Sequence, residues 1–308
     1  MNGDPQPADW DRAIELIGLR KHFGKVAALD GLSLAVGRGS IHGFLGPNGA
    51  GKTTTLKLVL GMARPDAGRV SLFGRGIEDE NDSVAARRRI GFVSEAKEMY
   101  AHLDVEQTVR FTRGFFPNWE RDRETELLRR FELPSRRRVT DLSKGMRTKL
   151  ALLLACCRRA DLLIFDEPTD GLDPGSVEEV LETLVGEVAE RETTVFFSSH
   201  QLSEVERIAD HVSLVHRGRV VLDGELDTLR QRFHQVRLVL DGTSALPNEL
   251  LDDPAIRTSS IIGRVATLLV DGDAACVVER ARLLAAVRSV ETRALSLREL
   301  FLVHTKDT

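Results

Sequence analysis

The sequence predicts an α/β protein: a mainly parallel core sheet with helices, an antiparallel β region at the N-terminal end, a helical subdomain, and a small α+β domain at the C-terminal end. Three observations predict it. Apolar strands alternate with helical stretches between residues 40 and 200, a glycine-rich loop joins the first such strand to its helix, and the pattern changes character after about residue 232. A chain of 308 residues is long enough for one large domain with an appendage. We therefore expect a domain over 11–232, carrying a helical subdomain at about 96–145, and an accessory domain over 233–308.

Residues 14 to 36 read as short strands, with alternating Leu32, Leu34 and Val36 and turns at Gly24 and Gly31. From Ser40 the chain gives a strand (Ile41 to Leu45), a loop (Gly46 to Gly51) and a helix bearing Leu56, Val59 and Leu60. A strand over Arg89 to Val93 precedes mainly helical sequence reaching about Arg130, with Thr108, Val109, Phe111 and Thr112 on its first helix. There follow a helix at Lys144 to Arg158, a strand at Leu162 to Phe165, a helix at Gly175 to Ala189 and a strand at Thr193 to Ser199. In the last part, strands are expected at Val236 to Leu240 and Val265 to Val270, and helices near Ala275 to Val287 and Ser296 to Val303. Asp241 to Pro254, rich in Asp, Gly and Pro, reads as a loop.

Composition narrows the function. Hydrophobic residues are 42% and charged residues 29%, which is ordinary for a folded domain and excludes disordered or collagen-like classes. The apolar run Leu150 to Cys157 is far shorter than the roughly 20 residues that cross a bilayer. Met1 to Asp11 lacks the basic and apolar regions of a secretory signal, so a cytoplasmic location is expected. Lys and Arg number 43 against 47 Asp and Glu, a formal charge of −4, so no nucleic-acid partner is expected. Cys156, Cys157 and Cys276 show neither disulfide nor metal-ligand spacing and read as buried thiols.

Gly46-Pro47-Asn48-Gly49-Ala50-Gly51-Lys52-Thr53, continued by Thr54, fits a phosphate-binding loop. Its glycines let successive N–H groups point at phosphates in front of a helix N-terminus. Lys52 would bridge the β- and γ-phosphates, and Thr53 would offer a hydroxyl to Mg²⁺. Leu162 to Phe165 runs into Asp166 and Glu167, and a buried strand ending in two acids is best explained by a cation or a reaction. Asp166 is the candidate Mg²⁺ ligand and Glu167 the candidate general base for an attacking water. His200 ends a second apolar strand, where an imidazole can reach the γ-phosphate. Any one of these has a plain structural reading as a glycine turn, solvated strand-end acids or a structural histidine; in one predicted sheet they support each other.

Leu142-Ser143-Lys144-Gly145-Met146, before an apolar helix, resembles the signature element of the ATP-binding-cassette (ABC) ATPases. The resemblance covers about residues 13 to 230 and continues in Asp170-Gly171-Leu172-Asp173-Pro174, similar to the family's D-loop, and in His200 at its switch-histidine position. It implies a P-loop NTPase cassette that binds ATP and Mg²⁺ and pairs head to tail with a second cassette. Ser143 and the Gly145 backbone of one copy would then cap the γ-phosphate held by Lys52 of the other, with Asp173 at the same junction. The pairing would be a homodimer, or a heterodimer with another ABC ATPase subunit.

The sequence departs from the family pattern in three places. Lys144 and Met146 replace the usual glycine and glutamine. Glu95 stands where the Q-loop glutamine approaches Mg²⁺ and the water, so it is a candidate catalytic and metal-binding group. Its added charge beside Asp166 and Glu167 is expected to make metal affinity and turnover more dependent on pH or metal concentration. Phe23 takes the place of the aromatic, commonly tyrosine, that stacks on adenine; the plain reading is a core phenylalanine.

Phe111, Phe115, Phe116 and Trp119 lie where family transporters receive a coupling helix, although helical spacing favours burial of most of them in the subdomain. The basic triplets Arg87 to Arg89 and Arg136 to Arg138 read as solvated faces. The tail Ser296-Leu297-Arg298-Glu299-Leu300-Phe301 resembles ATP-binding subunits of ABC-2-type bacterial exporters. The resemblance therefore implies an ATP-hydrolysing subunit of an exporter, held at the inner face of the membrane by a separate transmembrane permease. The competing reading is a soluble ABC ATPase acting on ribosomes, nucleic acid or cofactor assembly.

Overall fold

The computed structural model describes residues 12–242, 246 and 248–306. The expectation about Met1 to Asp11, and part of that for Asp241 to Pro254, lies outside them. The chain forms two compact units, 1–223 and 224–308. The division falls nine residues before the expected 232, because α8 (Leu226–Arg232) clusters with the C-terminal strands and helices.

The first unit opens with the antiparallel pair β1 (Arg12–Phe23) and β2 (Val26–Gly37). The expected short strands are thus two long ones. Gly24 turns between them, whereas Gly31, expected as a turn, lies inside β2 at φ 82°, in a stretch where the register shifts. A glycine accepts that backbone and relieves the pairing locally. The chain continues through β3 (Ile41–Leu45), α1 (Lys52–Val59), β4 (Ala67–Leu72), the two-residue β5 (Arg75–Gly76), α2 (Glu80–Arg88) and β6 (Ile90–Val93). Next come α3 (Val105–Arg113), α4 (Arg121–Arg130), α5 (Lys144–Cys156), β7 (Leu162–Asp166), α6 (Pro174–Arg191) and β8 (Thr194–Ser199). The unit closes with α7 (Leu202–Ile208), β9 (His211–His216) and β10 (Arg219–Glu225), whose last residues cross into the second unit. The segments 61–88 and 201–231, unassigned from sequence, hold β4, β5, α2, α7, β9, β10 and α8.

Two sheets result. One has the order β2-β1-β4-β5, and the other β10-β9-β3-β8-β7-β6. In the second, β6 with β7, β7 with β8, β8 with β3 and β3 with β9 all pair in parallel. Every residue of β3, β7 and β8 is buried, as expected of parallel strands covered on both faces, and this explains their continuous apolar runs. Phe44, Ile164 and Phe196 join the cluster built on Leu16, Leu32 and Leu34, so one core binds the two sheets. Parallel pairing places the carboxyl ends of β3, β7 and β8 side by side, which brings the loop after Leu45, the acids after Phe165 and His200 together.

Burial corrects two further expectations. Cys276 is exposed while Cys156 and Cys157 are buried. Phe111 and Phe115 are also exposed, and Phe116 and Trp119 are half-buried, so the subdomain's core does not absorb its aromatics. Phe111 instead packs edge to face with Tyr100 and Phe115, and the Arg158 guanidinium covers Phe116.

The second unit contains α8, β11 (Phe233–Leu240), α9 (Asn248–Leu251), β12 (Ile256–Ile262), β13 (Val265–Asp271), α10 (Ala274–Leu283), β14 (Val287–Ala294) and α11 (Leu297–Lys306). The expected helix to Val287 stops at Leu283, and β12, β14 and α9 were not anticipated. All three pairings in the sheet β12-β13-β11-β14 are antiparallel. A β-α-β-β-α-β order with this arrangement is the split βαβ, ferredoxin-like pattern. Its core joins Val236, Leu238, Ala266, Leu268, Val277 and Ala281.

Candidate functional site

The loop after β3 turns back over the start of α1. Gly51 sits at φ 110°, and a Cβ there would meet the Ala28 carbonyl at 2.8 Å, so only glycine permits this path. Gly49, at φ 80°, has open space in front of it, leaving its backbone accessible. Gly46 accepts from Lys52 Nζ at 2.7 Å, while Ala50 is buried and donates its N–H to Pro47. A cleft of about 620 Å³ is lined by Asn48, Gly49, Gly51, Lys52, Thr53 and Thr54 on one side. Its other walls are Glu95, Glu167, Asp170 and His200. The volume is in the range of small-molecule sites.

Inside this cleft the charged groups meet. Lys52 Nζ is 3.1 Å from Glu167 Oε1, and both residues are buried. Glu167 Oε2 lies 2.8 Å from His200 Nδ1 and accepts from the His200 backbone N–H at 3.2 Å. Glu167 has φ 49°, a left-handed backbone uncommon for a residue with a side chain. The turn is held because Glu167 N–H donates to Ser198 Oγ (3.0 Å), whose hydroxyl donates in turn to Asp166 Oδ1 (2.6 Å). Ser198 on β8 thus holds the Asp166 carboxylate at the end of β7 and the backbone turn at Glu167. Sequence reading passed over it, although a Ser-Ser pair ending an apolar strand was a visible signal.

Lys97 was also missed. It is buried and donates from Nζ to the carbonyls of Glu95 (3.2 Å) and Glu167 (3.4 Å), tying the two segments together. Burial holds its ammonium below the usual lysine range, with Lys144 as the next cause. The visible signal was a cation two residues after an anomalous acid, Glu95. Asp170, on the cleft wall, pairs with Lys144 Nζ at 2.8 Å, and that hydrogen bond lowers its carboxyl from the usual range. The departure at Lys144 therefore has a structural partner in the loop after β7.

Thr53, Glu95 and Asp166 together line a second cleft beside the first. A hydroxyl and two carboxylates are hard oxygen donors, so the set suits Mg²⁺.

The remaining predicted residues lie elsewhere. Ser143 caps α5, accepting from the Met146 N–H at 3.1 Å, and Asp173 caps α6, accepting from the Ser176 N–H at 3.0 Å. Hydrogen bonds from Ser176 keep the Asp173 carboxyl low. Gly145 faces these, since a Cβ there would come within 2.9 Å of Ser176 Oγ. Ser143, Gly145 and Asp173 are not among the residues lining either cleft. Phe23 lines neither cleft; it is 55% exposed, which overturns its reading as a core residue, and Lys21 Nζ lies 5.7 Å from its ring centre. Its strand partner Val26, not anticipated, does line the cleft.

A phosphate loop, a strand-end acid pair and a histidine at the carboxyl edge of a parallel sheet define a nucleotide-binding ATPase. Comparison with known proteins narrows the class. The family model described as ABC transporter matches residues 29–170, and one described as AAA domain, putative AbiEii toxin, Type IV TA system, matches 135–206. The chain is 34% identical over 221 residues to the bacitracin transport ATP-binding protein BcrA of Bacillus licheniformis, covering 71% of this chain and 72% of that one. It is 39% identical over 229 residues to the daunorubicin resistance ATP-binding protein DrrA3 of Streptomyces coeruleorubidus, covering 71% and 70%. Among solved structures, an ATP-binding subunit of an ABC transporter superposes with a TM-score of 0.64 at 30% identity, over 71% of this chain and 92% of that chain. The chain belongs to the ABC transporter ATP-binding proteins, and is an ATP-hydrolysing subunit of that family.

Proposed function

We propose that this chain hydrolyses ATP as one of two paired cassettes, at the inner face of a membrane, to drive export through a separate transmembrane permease. The observation that carries the catalytic part is the contact of Glu167 with both Lys52 and His200 in one cleft. Phosphates entering over the Gly49 backbone compete with Glu167 for the Lys52 ammonium. Drawn to the phosphates, Lys52 frees one Glu167 oxygen to accept a proton from the attacking water, while His200 holds the other and orients it. Thr53, Asp166 and Glu95 would hold Mg²⁺, which supplies charge neutralisation for the transferring phosphoryl group. Asn48 and Thr54 complete the phosphate cradle, whereas Ala50, buried with its N–H given to Pro47, holds the loop's shape; Phe23, exposed beside Val26, offers a face for the adenine.

The residues outside the cleft support the proposed pairing. Ser143 and the Gly145 backbone stand apart from the cleft at a helix N-terminus, an arrangement suited to anion contacts supplied to a second copy or to another ABC subunit, with Asp173 at the start of the neighbouring helix. No helix among the described residues is long and apolar enough to cross a membrane, and we assign the transport pathway to a separate permease chain. The exposed ring cluster of Tyr100, Phe111 and Phe115 is our candidate for that chain's docking point. The named relatives are a bacitracin transport and a daunorubicin resistance ATP-binding protein, and an antibiotic is the cargo class we assign. Purification from native membranes in mild detergent, with Glu167→Gln and Mg²⁺-ATP as the trap, tests this reading. A stoichiometric multi-span partner is the expected result; recovery of only soluble partners overturns the transport role and leaves the ATPase.

A further inference from the structure

A second cluster of chemically active side chains lies on the same sheet, away from the ATP cleft. His42 on β3 is the register partner of His211 on β9. In parallel pairing, partners project to the same face, and the two imidazole rings lie 4.6 Å apart, tilted by 31°. Ser213, two residues further on, shares that face and is 2.7 Å from His42 Nε2. Asp223 on β10 closes the group. Its Oδ1 accepts from the Ser213 hydroxyl and lies 3.2 Å from His211 Nε2.

We propose that His42, His211 and Asp223 form a binding site for a divalent transition-metal ion of the zinc type, with the Ser213 hydroxyl or water completing the shell. One ligand atom from each of the three comes within 4.8 Å of the others. Tetrahedral zinc, with bonds of about 2.0–2.2 Å, places its ligands roughly 3.3–3.6 Å apart, so rotations of the partly exposed His211 and Asp223 side chains toward His42 close the set. Two imidazole nitrogens and one carboxylate make a borderline donor set that selects zinc-like ions over Mg²⁺ or Ca²⁺. His42 is 1% exposed, whereas the side chains of His211 and Asp223 are 28% and 44% exposed, giving the ion an entry path. His42 is anchored edge-on against Phe196, at 5.5 Å and 75°, which limits its rotation.

The site is separate from the nucleotide cleft. His42 is near the start of β3 and the phosphate loop follows its end, about 10 Å further at strand rise. An ion here would clip together β3, β9 and β10 beneath the loop, because Gly218, between β9 and β10, donates its N–H to the Ala50 carbonyl. The expected consequence is stabilisation of the sheet, with little change in basal ATP hydrolysis.

The test uses the untagged full chain, stripped with chelator and dialysed. Competition with a metallochromic indicator and elemental analysis should find one equivalent of zinc bound at micromolar or lower free zinc. Co²⁺ in its place should give the intense visible absorption of a four-coordinate N/O site. Excess zinc at about 100 times Kd should raise Tm by about 5 °C. His211→Ala and Asp223→Asn, both at partly exposed positions and checked for native circular dichroism, should lose the equivalent and the Tm rise while keeping ATPase activity. Wild type without zinc at tenfold excess, or variants that bind as much as wild type, overturns the proposal.

Discussion

At Glu167 the backbone and the chemistry are coupled. A left-handed φ of 49° directly after β7 turns the carboxylate toward Lys52 and His200, and Ser198 holds the turn. Replacing the carboxylate by an amide keeps the shape and removes the proton acceptor. Glu167→Gln is expected to retain ATP binding and lose about 100-fold or more in kcat, as measured by phosphate release beside nucleotide titration. Lys97 works on the same turn from the other side. Removing its ammonium in Lys97→Met leaves the Glu95 and Glu167 carbonyls without that donor. We expect a loss of about 1–3 kcal/mol in urea unfolding, with kcat falling more than KM rises. Lys97 also supplies a compensating cation in the same segment as Glu95, so Glu95→Gln is best compared with wild type across both pH and Mg²⁺ concentration.

Among the elements, α11 shows how a tail motif acquires a physical role. Ser296 Oγ accepts from the Glu299 N–H at 3.3 Å, and Glu299 Oε2 accepts from the Ser296 N–H at 3.0 Å, a reciprocal capping box. Arg293 on β14 grips the same carboxylate, so Glu299 is pulled down to about 2, with the Arg293 hydrogen bond as the largest cause. A carboxyl lowered in the native state stabilises above its ordinary value of 4.5, and that contribution is lost as pH falls from there toward 2. Protection against amide hydrogen exchange in residues 297–303, taken relative to the intrinsic rate at each pH, should therefore fall over this window in wild type and vary less in Glu299→Gln. Ser296→Ala should cost about 1 kcal/mol of protection at neutral pH. The motif was legible as the six residues Ser296 to Phe301; its cap was not, because β14, which carries Arg293, is mostly exposed and polar and has no apolar alternation to announce it.

For the whole molecule, the separation of Ser143, Gly145 and Asp173 from the Lys52 cleft predicts concentration-dependent pairing driven by ATP. Glu167→Gln with Mg²⁺-ATP should elute at twice the monomer mass in size-exclusion chromatography with light scattering. Addition of Ser143→Arg should return it to monomer with nucleotide affinity unchanged. A dimer that persists in the double variant would place the junction elsewhere. Much of the first unit was legible because its parallel strands are buried on both faces and write themselves as apolar runs, and because phosphate binding demands glycines, Lys52 and Thr53 at set spacing. The segments 61–88 and 201–231 were not, since β4 has three exposed residues of six and α2 is mainly charged.

The sequence alone determined the order of elements around β3, β7 and β8, the phosphate loop, the acid pair and the family, because each rests on local patterns of one strand, one turn or one helix start. Tertiary structure decided the features that depend on distant partners. Lys97 reaches Glu167 across 70 residues, Ser198 reaches Asp166 across 32, and His42 meets His211 only through strand register. Exposure of Phe23, Phe111 and Cys276 was likewise decided by packing, since a residue's type sets what burial is worth, and only its neighbours in space determine whether burial occurs.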